Sequence, residues 1–204
     1  MTGPIHLFRT YLASKHSSID CRIWEAARAT SAAPTFFEQI FIGPPGISEP
    51  YIDGGLGCNN PIKQVLEEAR TQFPGRHGAC IVSIGTGRPR VKGIPTPGFI
   101  QRLVPFAIVK ALQGIATDCE QSTQGITQRF QSIPYFCFRF NVEHGLQDVG
   151  LADWKMLNKV TIHTGMYIEV PEVDQRLEVA ATAICRKQRV VATAQISTPA
   201  TDIR

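Results

Sequence analysis

The 204-residue sequence lacks the spacings that hold metals or run dithiol chemistry. Its six cysteines, Cys21, Cys58, Cys80, Cys119, Cys137 and Cys185, include no C-x-x-C pair, which argues against a zinc knuckle or a redox couple. Its five histidines, His6, His16, His77, His144 and His163, form no H-E-x-x-H, so a metalloprotease helix is excluded. A chain of this length buries most of its apolar surface without disulfide staples. Reduced thiols in a cytoplasmic setting are therefore expected, several of them packed as small hydrophobes. No basic segment followed by an apolar stretch marks a secretory signal at the start. The longest apolar segment, Phe99 to Ala116, is interrupted by Gln101, Arg102, Lys110 and Gln113, too polar to span a bilayer. Repeats and low-complexity tracts are absent. Charged residues make up only 19% and the net charge is +4, too weak and too dispersed a basicity to argue for nucleic acid. Gly85 and Gly87 open a G-x-G, but Arg90 stands where a dinucleotide fingerprint needs its third glycine, and no G-K-[ST] follows. Nucleotide binding is not expected.

What is present is 43% hydrophobic residues, the balance of a folded globular domain. Ile5 to Tyr11 reads as a short strand. Trp24 to Ala33 is rich in helix formers and should stop at Pro34, with Ser31 as a small core residue. Phe36 to Ile42 reads as extended, Gly43 to Pro50 as a turn-rich loop, and Tyr51-Ile52 as a brief strand. Asn59-Asn60-Pro61 looks like a helix start, with Asn60 as cap and Pro61 in the first turn. Ile62, Val65, Leu66 and Ala69 then recur at helical spacing to about Phe73. Ala79 to Ile84 is a continuous apolar run, expected to be a parallel strand covered on both faces, ended by a tight turn at Gly85-Thr86-Gly87. Ile100 to Ile115 carries one helical stripe, suited to the core or to the border of a lipid-binding cleft. Tyr135 to Val142 is a strand with Phe136, Phe138 and Phe140 on one face. Helices follow at about Ala152 to Tyr167 and Pro171 to Lys187, then a polar tail over 188–204, expected to fray. Strands alternating with helices indicate an α/β sheet domain.

Three stretches carry the chemistry. They are Trp24-Glu-Ala-Ala-Arg-Ala-Thr-Ser-Ala-Ala-Pro-Thr-Phe-Phe37, Tyr51-Ile-Asp-Gly-Gly-Leu-Gly-Cys-Asn-Asn-Pro61 and Ser83-Ile-Gly-Thr-Gly87. In order and spacing they resemble the C-terminal half of the patatin-like phospholipases, in the form found in fungal multidomain proteins. Gly145-Leu-Gln-Asp-Val-Gly-Leu151 and Trp154 extend the resemblance to about Lys187. The resemblance implies a three-layer α/β/α fold and a serine acyl hydrolase with a Ser–Asp dyad. It places the Asp on Asp53, in the D-G-G turn with Gly54 and Gly55. A carboxylate beside the nucleophile can take its proton and return it to the leaving alcohol, and glycines after it admit close backbone approach. Asp-Gly is also a common turn dipeptide, so a purely local role stands beside the catalytic one. Asn59 and Asn60 could shape the site or merely cap a helix. Arg88, Arg90 and Lys92 could meet anionic head groups or simply be solvated.

The same family places its nucleophile in a G-x-S-x-G elbow. None of the nine serines stands in one; Ser48, in Gly46-Ile-Ser-Glu-Pro50, comes nearest. A glycine-rich oxyanion loop of the G-G-G-x-[RK]-G type is absent too. Residues 1–187 are thus expected to be the C-terminal part of such a domain, without the N-terminal strands, the nucleophile and the oxyanion half. On its own this chain is expected to be inactive; the alternative is a non-catalytic remnant or interaction module. By resemblance the substrate is a phospholipid or acylglycerol at a membrane surface, with the protein cytoplasmic or peripheral. A complementing upstream segment or fused domains are the expected partners, and no metal or organic cofactor is implied.

Overall fold

The computed structural model describes residues 4–13, 20–34, 36–87, 119, 122–150, 153–187 and 189–196. The chain divides into two compact units, Met1–Pro61 with Thr96–Gln121, and Ile62–Pro95 with Ser122–Arg204. Helix and strand are mixed, as an α/β domain requires, and the described strands form three two-stranded sheets. Among the described residues no helix is long and apolar enough to cross a membrane. The expected helix over Ile100 to Ile115 and the basic residues Arg88, Arg90 and Lys92 lie outside the described residues.

In the first unit, helix α1 (Ile23–Thr30) starts where the Glu25 carboxylate accepts the Arg22 N–H at 2.6 Å. It ends three residues earlier than Pro34 suggests. The Thr30 hydroxyl donates back to the Ala27 carbonyl, and that of Ser31 to the carbonyls of Ala27 and Arg28, a competition with the helical ladder that small hydroxyl side chains offer. Ser31 is exposed, not a core residue. Strands β1 (Ile40–Ile42) and β2 (Glu49–Tyr51) form an antiparallel hairpin in which Phe41 faces Pro50. A Pro on a two-stranded ribbon sacrifices no central ladder bond. Ala29, Ile42 and Tyr51 form the buried cluster, with Phe8 and Ile40 packed on it. Residues 5–11 form no strand. Their apolar side chains are used instead as packing, with the His6 and Phe8 rings against Tyr51 at 5.4 and 5.6 Å. A short helix α2 (Gly55–Cys58) follows the D-G-G turn.

The second unit begins with α3 (Ile62–Gln72), which buries Ile62 and Leu66. Then come β3 (His77–Gly78), β4 (Ile81–Ile84), a helix α4 over 122–129, β5 (Cys137–Phe140), a 3-10 turn (Trp154–Met156), α5 (Leu157–Ile168) and α6 (Pro171–Arg186). Strands β4 and β5 pair in parallel, Ile81 opposite Cys137 through Ile84 opposite Phe140. Phe136, Phe138 and Phe140 are all buried, but only Phe138 and Phe140 share a face; Phe136 precedes β5 and enters a different cluster. Phe136 packs with Ile62, Leu66, Ile126 and Phe130, while Phe138 and Phe140 pack with Val173 and Ala180 of α6. Strand β4 departs from expectation. Among the described residues only one of its faces is covered, since Val82 is exposed and Ile84 is 78% exposed; an uninterrupted apolar run does not by itself encode two-sided burial. Helix α6 opens with Pro171 at its first position and ends with Lys187 in the left-handed region, the asymmetry that helix ends favour.

The frayed tail expected from 188 onward does not hold for residues 191–196. Strand β6 (Val191–Ala192) pairs antiparallel with β3, and Val191 and Ile196 are buried in the Phe136 cluster. The Thr193 hydroxyl also bonds to the carbonyls of Phe73 and Arg76. Two apolar side chains and a satisfied hydroxyl outweigh the polar neighbours.

Candidate active site

Asp53 lies just beyond β2, and two motifs that are distant in sequence position it. Its backbone N–H donates to the Ala32 carbonyl at 3.0 Å. That carbonyl is presented by the turn after α1, where Ala32 is fully buried. The small side chain at Ala32 is thus explained, because a larger one has no space there. This contact between the helix exit and the D-G-G turn escaped sequence reasoning. The run of small residues before Pro34 was its only signal.

The carboxylate of Asp53 is half-buried, and its Oδ1 accepts the Gly55 N–H at 2.7 Å. This is an Asx turn, the local geometry that Asp adopts readily. It leads into α2, whose first bonds run from Leu56 N–H to the Asp53 carbonyl and from Cys58 N–H to the Gly54 carbonyl. Among the described residues no group donates to Oδ2. One carboxylate oxygen is thereby fixed by backbone while the other keeps its lone pairs for a partner.

The two glycines after Asp53 are not equivalent. A Cβ on Gly54 meets nothing within 4 Å, whereas one on Gly55 comes to 3.0 Å from Asp53 Oδ1 and 3.6 Å from Asn59 Oδ1. Gly55→Ala is expected to crowd the carboxylate, costing about 1–3 kcal/mol, while Gly54→Ala stays near neutral. Urea midpoints of the two variants check this; equal losses refute the distinction.

Asn59 and Asn60 both turn toward Cys119, the first donating to its Sγ at 3.2 Å and the second to its carbonyl at 3.4 Å. They therefore tie the end of α2 to this cysteine. Beside the Asp53 turn an open depression of about 440 Å³ is lined by Ala32, Pro34, Phe37, Phe41 and Ile52, with Glu38 and Gln39 at its polar side. Arg28 supports that wall, donating to the Glu38 carbonyl at 2.6 Å with its guanidinium 5.4 Å from the Phe37 ring centre.

Ser31 is engaged with α1 carbonyls, and Ser48 lies on the exposed loop between β1 and β2. No cysteine is cross-linked, and burial pushes the thiols of Cys21, Cys80 and Cys137 above their usual range. Such thiols stay protonated and are poor nucleophiles. Among the described residues no group of three His, Cys, Asp or Glu side chains is placed to hold a metal ion.

Residues 3–66 match the family model "Patatin: Patatin-like phospholipase". The Calcium-independent phospholipase A2-gamma of Mus musculus is 43% identical over 67 residues, 33% of this chain and 8% of that protein. Phospholipase A I of Arabidopsis thaliana is 35% identical over 66 residues, 32% of this chain and 5% of that protein. The "Probable inactive patatin-like protein 9" of the same plant is 31% identical over 105 residues, 46% of this chain and 27% of that protein. The chain thus spans about a quarter or less of the length of these relatives. No solved structure matches it. The stretch that matches the family model holds both the Ala32 contact and the Asp53 turn, and over it this chain is homologous to the patatin-type phospholipases.

Proposed function

We propose that this chain carries the acid–base half of a lipid acyl hydrolase, with Asp53 as the carboxylate of a Ser–Asp dyad. The observation that carries the reading is the Asp53 turn itself. One oxygen is held by Gly55, the other accepts nothing among the described residues, and the turn is anchored to Ala32 within the segment similar to phospholipases. In this mechanism Asp53 takes the proton of a serine hydroxyl as its Oγ attacks the ester carbonyl. It then gives that proton to the departing alkoxide, leaving an acyl-enzyme. Water repeats the sequence: Asp53 takes its proton and returns it to the serine oxygen as the acid leaves. Backbone N–H groups stabilise the oxyanion. The serine and the oxyanion donors come from outside these 204 residues. Gly54 and Gly55 are the supporting turn, and the apolar depression beside it suits the acyl chain of a phospholipid or acylglycerol. The reaction as proposed calls on no metal or organic cofactor, and its setting is cytoplasmic or peripheral at a membrane surface.

A fluorophosphonate serine-hydrolase probe tests the division of labour. The 204-residue chain is expected to remain unlabelled; stoichiometric labelling at any of its serines sinks the claim that the nucleophile lies elsewhere. A second reading, a non-catalytic patatin-like module, is favoured by the absence of G-x-S-x-G together with the similarity to a relative named as inactive. Under that reading, a longer form of the protein also stays unlabelled.

A further inference from the structure

The second unit holds a donor-rich cluster that the acyl-hydrolase reading does not use. On the face of the β4–β5 pair opposite Phe138 and Phe140, the rung Ile81–Cys137 is apolar and packs on the core. The next rung on that face is Ser83 opposite Arg139. Arg139 Nη1 donates to Ser83 Oγ at 2.9 Å. Beyond it, Asn141 Oδ1 accepts the Gly87 N–H at 2.8 Å. Gly85 lies between them. A Cβ there comes to 2.3 Å from Asn141 Oδ1 and 2.6 Å from Arg139 Nη2, so the glycine is what lets the two side chains converge over the strand ends.

The hydrogen-bond balance of this cluster is one-sided. The Ser83 oxygen is occupied as an acceptor, which leaves its O–H to donate. The Asn141 oxygen is occupied, which leaves its NH2. Arg139 has five N–H donors and spends one on Ser83. Among the described residues no carboxylate pairs with it, and none of its nitrogens is sealed away from solvent without a partner. Arg176 donates to the Arg139 carbonyl at 3.1 Å, but its guanidinium stacks over the Phe140 ring at 5.4 Å and adds no charge to this face. A preponderance of converging donors and the positive charge of Arg139 select an oxyanion, and a planar guanidinium matches phosphate oxygens two at a time. In parallel α/β sheets the C-terminal ends of strands are where ligands dock.

We propose that Arg139, Ser83 and Asn141 form a phosphate-binding subsite at the C-terminal ends of β4 and β5, taking a phosphomonoester or phosphodiester group. It uses no part of the Asp53 turn, so it stands or falls separately from the acyl-hydrolase reading. Inorganic phosphate is titrated into the full chain at constant ionic strength, with chloride as the control and phosphorus NMR as the readout. Saturable phosphate-specific binding is expected. It weakens by at least ~10-fold in Arg139→Gln and is partly kept in Arg139→Lys, which retains the charge but not the fork. Ser83→Ala weakens it several-fold and serves if Arg139→Gln does not fold. Absence of phosphate-specific binding in the parent chain overturns the proposal, as does undiminished binding in both Arg139→Lys and Ser83→Ala. Sedimentation with phosphatidylcholine vesicles, with and without phosphatidic acid, separates the two sources of the group. Arg139-dependent sedimentation that requires phosphatidic acid identifies a lipid headgroup. Arg139-dependent binding of soluble phosphate without such sedimentation identifies a free phosphate ester.

Discussion

In a form of the protein that supplies a reactive serine, Asp53→Asn is expected to lower ester turnover on the order of 10²–10⁴-fold and to leave the urea midpoint unchanged. The two halves of this result follow from the two carboxylate oxygens. An Asn at this position still presents a carbonyl oxygen to the Gly55 N–H, so the Asx turn and the start of α2 survive. What disappears is the basic oxygen, since an amide cannot take up a serine proton at neutral pH. Asp53→Ala makes the contrast. It removes the turn bond as well, and should cost about 0.5–2 kcal/mol of stability, as loss of a capping oxygen does. Turnover of a chromogenic short-chain ester and equilibrium unfolding, measured on the same samples, separate the roles. Full activity in Asp53→Asn removes Asp53 from the chemistry and leaves it a turn residue.

Phe136→Ala is expected to be the most destabilising single truncation in the second unit, at about 3–5 kcal/mol. The ring is 0% exposed and meets residues from α3, α4 and the β6 segment in one cluster. It stands edge-on to Phe130 at 5.0 Å, an arrangement favoured by the ring quadrupoles. Its far edge also lies 3.4 Å from where a Cβ on Gly78 would stand, so it packs directly on the β3 backbone. Because domains keep only about 5–15 kcal/mol in hand, the loss should be visible as a large fall in urea midpoint at similar slope. Phe41→Ala, on an exposed position of β1, is the control and should shift the midpoint by less than about 0.5 kcal/mol equivalent. Similar losses at the two positions would mean that Phe136 is not the centre of a packed core.

Some features were legible because one physical pattern dominates them. The Phe138, Phe140 alternation marks the face of β5 that meets α6, and Pro61 and Pro171 mark the starts of α3 and α6. The Asp53 turn was legible as a turn and as a motif, and the Asx geometry satisfies the first without deciding the second. Other features depend on partners that sequence spacing does not reveal. The exposed flank of β4 and the packing of residues 5–11 as side chains without a ladder are set by tertiary neighbours, not by local preference. The end of α1 was missed because hydroxyl back-bonding at Thr30 and Ser31 competes with a proline signal farther on. Strand β6 is only two residues long, too short to carry any periodicity. Arg139 was hidden inside an aromatic strand, where its one distinguishing mark is the charge that interrupts the apolar run.

The pairing of β3 with β6 also bears on how the second unit comes into being. Thr193 bonds to a carbonyl 117 residues earlier in the chain, and Val191 and Ile196 complete the cluster that α3 begins. Contacts of such long range pay their loop-closure entropy before they return any stability, and they slow folding. During synthesis α3 emerges with Ile62 and Leu66 uncovered, and their cluster is completed only when residues 191–196 have left the ribosome. For that interval the nascent chain presents an apolar surface to chaperones and to other chains. The yield of this unit is therefore expected to depend on residues 191–196 as much as on its centre.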